Sequence, residues 1–307
     1  MALSTVAGIT SAINAGQCYK TSWTKTFGAA AAIGYWYNTF LMTGQPPVGT
    51  YGTTMTATQM FGSTSASPVY APTTGRISCA ENVSPMMKHL TNIEVVTATA
   101  SAAPAWLMLV DFLVNYSGID MTNANVQTFS NPVGTNGYVL PRYTDGKGVM
   151  MFLEQTVVLG AVGIPITQLA YTADLGVPST VPAAYLAGYT AIPASTPVQR
   201  ISHSGIAQNN FGPFLPLSGG DQGVRSATNI QFGSTTTGTT CLILCKPLAT
   251  IPLITSAAAN VAAITRDFIF NMPSLPRIYD GACLGFLYYA GGAATPVLYG
   301  TLDFVWG

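Results

Sequence analysis

Leu140-Pro141-Arg142-Tyr143-Thr144-Asp145-Gly146 and Leu275-Pro276-Arg277-Ile278-Tyr279-Asp280-Gly281 are two versions of one motif. They stand 135 positions apart, and the same offset lays residues 106–146 on 241–281 without a gap. Thirteen of those 41 positions are identical, among them Leu107/Leu242, Leu109/Leu244, Leu113/Leu248 and Ile119/Ile254. Ala124-Asn125-Val126 recurs as Ala259-Asn260-Val261, and Asn136 as Asn271. Self-similarity at a fixed offset marks an internal repeat. The chain is expected to contain one module twice.

Each residue of the motif has a local physical role. Proline fixes its own φ and forces the preceding residue to be extended. Asp-Gly is a tight-turn pair, because glycine accepts positive φ without steric cost. Arg and Asp three apart across that turn are expected to clamp it by a charge-assisted hydrogen bond. Pro141, Arg142, Asp145 and Gly146, with Pro276, Arg277, Asp280 and Gly281, are therefore read as a structural turn motif. A single carboxylate beside a guanidinium is a poor cation site, since hard cations want several oxygens. No metal is assigned to it.

Outward from the motif, the signals are those of strands. Ile93–Thr99, Ala105–Tyr116, Gly148–Leu159 and Ile166–Thr172 are apolar or β-branched and bounded by turn residues. Their apolar runs are nearly continuous, which predicts burial on both faces. Thr239–Leu253, Asp267–Asn271, Leu284–Tyr289 and Val297–Trp306 form the second set, the last two read as a hairpin. Helical crossovers are not evident, so the fold class is mainly β. It is read as two duplicated antiparallel β-sandwich-like modules, 91–176 and 231–307, with a linker at 177–230. That linker is rich in Pro and Gly. Residues 1–90 read as an N-terminal arm of short helices and extended segments. Helix is expected at Ser4–Cys18 with Val6, Ile9 and Ile13 on one face, at the start of Trp23–Met42, and at Val83–Leu90.

Composition narrows the function. The 307 residues carry 11 basic and 11 acidic side chains, 7% in all, against about 25% in an ordinary soluble domain. Zero net charge offers no general attraction to nucleic acid or anionic lipid. The 15 Tyr, 13 Phe and 11 Met suit surfaces covered by neighbouring subunits, where charge is depleted and aromatics and Met are enriched. Residues 1–16 show no secretory leader, and the five cysteines (18, 79, 241, 245, 283) are read as buried free thiols of a chain made in a reducing cytoplasm. Despite a mean hydropathy of +0.37, no run of about twenty apolar residues occurs, so a membrane reading is disfavoured.

Catalytic constellations are thin. His89 and His203 are far apart, and Cys241 and Cys245 on a strand stand about 13 Å apart, too far for one zinc. No catalytic, cofactor-binding or metal residue is assigned, and no cofactor is expected. Ser218-Gly219-Gly220-Asp221 is read as a loop. Asp111 and Glu154 lie inside apolar strands, where an unpaired carboxylate is costly. They are expected either to pair with an Arg or to sit at a subunit contact.

The run Leu140-Pro-Arg-Tyr-Thr-Asp-Gly-Lys-Gly-Val149, a following strand, and Gln168-Leu-Ala-Tyr171-Thr172 resemble structural proteins of tailed-bacteriophage particles. The resemblance spans about thirty residues of the first copy. It implies a virion component without catalysis, above all a capsid cement or decoration protein. Such a protein binds itself, as a trimer or higher homo-oligomer, and other virion structural proteins, without direct nucleic-acid or membrane contact. The alternatives are the major capsid protein and a carbohydrate-binding or carbohydrate-cleaving tail protein.

Overall fold

The computed structural model describes residues 3, 5–62, 74–80, 82–99, 104–134, 136–160, 164–186, 189–191, 199–204, 212–253, 263–271 and 275–307. The repeated Ile254 and Ala259-Asn260-Val261 lie outside them.

The chain begins with helix α1 (Val6–Asn14), capped by the Thr5 hydroxyl, which accepts from Gly8 N at 3.1 Å. Strands β1 (Cys18–Thr26), β2 (Trp36–Asn38), β3 (Thr43–Gln45) and β4 (Thr58–Gln59) follow. The first copy supplies β5 (Lys88–Thr97), β6 (Ala105–Asp120), β7 (Gln127–Thr128), β8 (Met150–Gln155) and β9 (Ile164–Ala173). Then come β10 (Pro178–Thr180), helix α2 (Ala183–Leu186), β11 (Tyr189–Ala191) and β12 (His203–Ser204). The second copy supplies β13 (Val224–Phe232), β14 (Thr239–Leu253), β15 (Ile264–Asp267), helix α3 (Phe268–Asn271), β16 (Arg277–Ile278), β17 (Cys283–Tyr289) and β18 (Val297–Trp306). The protein is mainly β, and every pairing between these strands is antiparallel.

A central sheet runs β2-β17-β6-β14-β8, with β4 added to β6. Its middle pair consists of the two repeated long strands, and Asp111 and Lys246, one offset apart, face each other there. A local two-fold axis therefore passes between them. Leu113 and Leu248, also one offset apart, are each passed over in the pairing as bulges on either side of that axis. The axis also sets the next strands. Met151 pairs with Leu244 as Phe286 pairs with Leu109, so β8 lies on β14 in the register that β17 takes on β6.

The copies thus exchange strands. β8 and β9 of the first copy pair with β14 and β13 of the second, while β17 and β18 pair with β6 and β5. Residues 91–176 and 231–307 are accordingly not separate packing units. Similarity along the chain identifies equivalent strands, but burial of their faces decides which ones pair. The expected β17–β18 hairpin is absent for the same reason: β17 joins the central sheet and β18 an outer one.

Two outer sheets cover one face of the central sheet. Leu107, Leu109, Ile251, Phe286 and Tyr288 pack with Ile93, Val95, Leu298 and Phe304 of the sheet β15-β5-β18-β1-β3. Leu242, Leu244, Tyr116 and Met151 pack with Leu169, Tyr171, Ala227 and Ile230 of the sheet β12-β11-β9-β13-β7. The reverse face presents Val110, Phe112, Phe152, Ile243 and Cys245, and is covered by Trp36, Phe40, Met60 and Ile201. Both faces are buried over Leu109–Ser117 of β6 and Thr240–Cys245 of β14, which explains the nearly continuous apolar character there.

Much of the described part of residues 1–90 is therefore built into the sheets rather than carried as an arm. Trp23 begins no helix. β1 alternates, turning Trp23 inward against Phe286 at 4.6 Å between ring centres. Lys25 turns inward too, its Nζ donating to the carbonyls of Met42, Pro46 and Pro47 at 3.1, 3.0 and 3.3 Å. Residues 83–90 form a turn and the start of β5, not a helix. On α1, Ile9 and Ala12 are buried, whereas Val6 and Ile13 face outward. The stretch expected as a linker, 177–230, holds most of β13, a core strand of the second copy whose polar interior (Arg225, Ser226, Asn229) lacks an apolar signature.

Candidate functional site

Both motif turns form. Gly146 N donates to the Tyr143 carbonyl at 2.8 Å with φ of +74° at Gly146, and Ala282 N donates to that of Tyr279 at 3.1 Å with φ of +73° at Gly281. The expected Arg–Asp clamp across each turn does not. Arg142 turns inward to Asp111, with Nε–Oδ2 at 2.9 Å and Nη2–Oδ1 at 2.7 Å. Its remaining donors reach the carbonyls of Met60, at 3.1 Å from each terminal nitrogen, and Phe112, at 2.9 Å. Asp111 also accepts from Cys283 N at 2.8 Å. A carboxylate sealed inside the central sheet demands a full set of donors, and a planar guanidinium supplies them bidentately. Asp145, left out, is exposed and accepts from Lys147 N at 3.2 Å.

The second copy is arranged differently. Asp280 pairs with the buried Lys88 at 3.3 Å and accepts from Val83 N at 3.2 Å. Arg277 stays exposed and lies over the Tyr279 ring, 4.3 Å from its centre. His89 is its strand partner, with Nδ1 3.4 Å from the Leu275 carbonyl; burial and the nearby guanidinium lower the imidazole pKa.

The two turns meet at one cleft of about 580 Å³, lined among others by Pro85, Met87, Lys88, Tyr143, Arg277 and Tyr279. Tyr143 and Tyr279 touch edge to face, 4.7 Å between centres and 72° between planes. The Tyr143 hydroxyl is buried and has no hydrogen-bond partner among the described residues, and burial pushes its pKa up. Tyr143 and Tyr279 fill variable positions of the motif, so matching the copies overlooked them. An aromatic in each turn was the available signal. Lys88 carried none, being far from Asp280 in sequence.

Elsewhere several ionisable groups are held inside the fold. Asp111 has the Arg expected for it, but Glu154 has neither an Arg nor a surface position. It is fully buried, accepting from Asn38 Nδ2 at 2.8 Å and Tyr51 Oη at 2.7 Å. Its other oxygen has no partner among the described residues, and burial pushes its pKa up to about 8. Burial thus favours its protonated form at pH 7. Cys79, Cys241, Cys245 and Cys283 are buried free thiols, but Cys18 is exposed. Asp221 braces its loop, accepting from Tyr171 Oη at 2.6 Å and Ser179 Oγ at 2.7 Å. Among the described residues no His, Cys, Asp and Glu side chains gather as a metal site, and no helix is long and apolar enough to cross a membrane.

Compared with protein-family models, curated proteins and solved structures, the chain matches none.

Proposed function

We propose that this chain is a structural subunit of a tailed-bacteriophage particle, a capsid cement or decoration protein that binds itself and neighbouring shell proteins. The exterior carries this reading. With only 22 charged side chains in the chain, the surface leaves Leu175 79%, Phe270 74%, Val133 67% and Val177 59% exposed. Leu175 and Val177 stand together at the tip joining β9 to β10. Large apolar side chains projecting from a charge-poor surface favour burial against a neighbour. The buried ion pair and double-sided central sheet supply a stiff body from which such tips project.

Sedimentation velocity of the purified chain at micromolar concentration tests this. A trimer or larger species that persists in molar NaCl is expected, because apolar burial is not screened by salt. A clean monomer overturns the reading. Closed shells formed by the chain alone would move the assignment from cement protein to principal shell subunit.

A further inference from the structure

Three cations line the cleft between the turns, and two are already neutralised: Arg142 by Asp111 and Lys88 by Asp280. Arg277 is not. Its guanidinium is exposed and makes no hydrogen bond to another described residue. It lies over the Tyr279 ring, 4.3 Å from its centre, and its N–H groups make no hydrogen bond to another described residue, so they are free to take a carboxylate, which a guanidinium can hold bidentately. The same cleft, polar over most of its lining, also presents the apolar side chains of Pro85 and of Met87, which is 47% exposed.

We infer that this cleft receives a protein segment bearing one carboxylate next to an apolar side chain, the carboxylate on Arg277 and the apolar group against Pro85 and Met87. A nucleic-acid strand fits less well. It brings a series of phosphates that need several free cations, whereas among the described residues the cleft offers one, and the exposed Asp145 in the same lining opposes a run of anions more than a single carboxylate. The volume of about 580 Å³ suits a few residues. The inference rests on the structural-subunit reading for taking the partner to be a protein, and it names the chemistry of that contact.

The test is fluorescence anisotropy on the full chain with dye-labelled peptides Ac-Gly-X-Asp-X-Gly-amide, X being Leu, Met or Phe. Their Asn counterparts and a ten-residue oligo(dT) serve as comparisons. Binding of an Asp peptide that falls at least tenfold with Asn, and again with Arg277→Gln, is expected, with Arg277→Lys restoring part. Arg277 is exposed, so an unchanged melting temperature shows that the variants fold. Equal binding of Asp and Asn peptides, no binding of any peptide, indifference to Arg277→Gln, or tighter binding of oligo(dT) overturns the inference. If peptides fail while the chain still self-associates, only the inference falls. If a monomeric chain binds the Asp peptide, only the structural-subunit reading falls.

Discussion

Asp111 and Lys246 occupy the same position in the two copies and sit opposite each other on the local two-fold axis of the central sheet. Their side chains part company. Asp111 takes Arg142, while Lys246 Nζ donates to the Lys147 carbonyl at 2.8 Å and lies 5.5 Å from the Tyr143 ring centre. This single difference explains the asymmetry of the two turns. Arg142 finds a carboxylate at the equivalent place where Arg277 would meet an ammonium. One arginine is drawn into the protein, and the other is left on the surface.

Arg142→Met should therefore cost about 3–5 kcal/mol, because it strands a fully buried carboxylate. Arg277→Met removes an exposed cation–π contact and should cost under about 1 kcal/mol. Urea denaturation of both variants measures the contrast. Equal losses would mean that the two turns are energetically alike. Adding Asp111→Asn to Arg142→Met should recover part of the loss.

Glu154 makes stability fall as pH rises. Its folded pKa of about 8 lies above the ordinary value of 4.5, so the folded chain holds a proton that the unfolded chain releases. Its protonated form is fully compatible with folding below pH 4.5. Between about 4.5 and 8 the group should withdraw stability at roughly 1.4 kcal/mol per pH unit, with no further loss from it above 8. Glu154→Gln should flatten that part of the profile. Urea midpoints across this range, with the variant as reference, test it; parallel profiles would show that Glu154 does not titrate there.

Gly146 and Gly137 share a left-handed backbone, at φ +74° and +78°, but not the space around it. A Cβ on Gly137 meets nothing within 4 Å, whereas on Gly146 it lies 2.7 Å from Arg225 Cγ and 3.0 Å from the Val224 backbone. Gly137→Ala should cost about 1 kcal/mol for the conformation alone. Gly146→Ala should cost more, through the strand β13 beside it. Thermal melts of the pair are sufficient to rank them.

If the tip at Leu175 and Val177 is covered by a neighbour, Leu175→Glu with Val177→Glu should shift sedimentation toward monomer. Monomer stability should change by no more than about 0.5 kcal/mol per surface substitution. Unchanged self-association would place the contact elsewhere on the surface.

Much of the framework was legible in the letters. β6 and β14 were marked by apolar runs too continuous for a half-exposed sheet, and the motif glycines by the turns that require positive φ. The strand β13 was hidden by its polar interior, although carrying the 135-residue offset forward from β5 points to residues 223–232, which contain it. The partner of Arg142 was not legible. Asp145 was near along the chain, but Asp111 was the carboxylate without water.

The sequence by itself determined that a β unit occurs twice, which strands correspond, and where the backbone must turn, because these are properties of local covalent geometry and of side-chain period. Only the tertiary structure decided that the copies interlock around one axis, that Trp36, Phe40 and Met60 cover the reverse of the shared sheet, and that one motif arginine goes in while its twin stays out. Those outcomes depend on which groups lose their water together. Residues far apart in the chain settle that only when the sheets close over them.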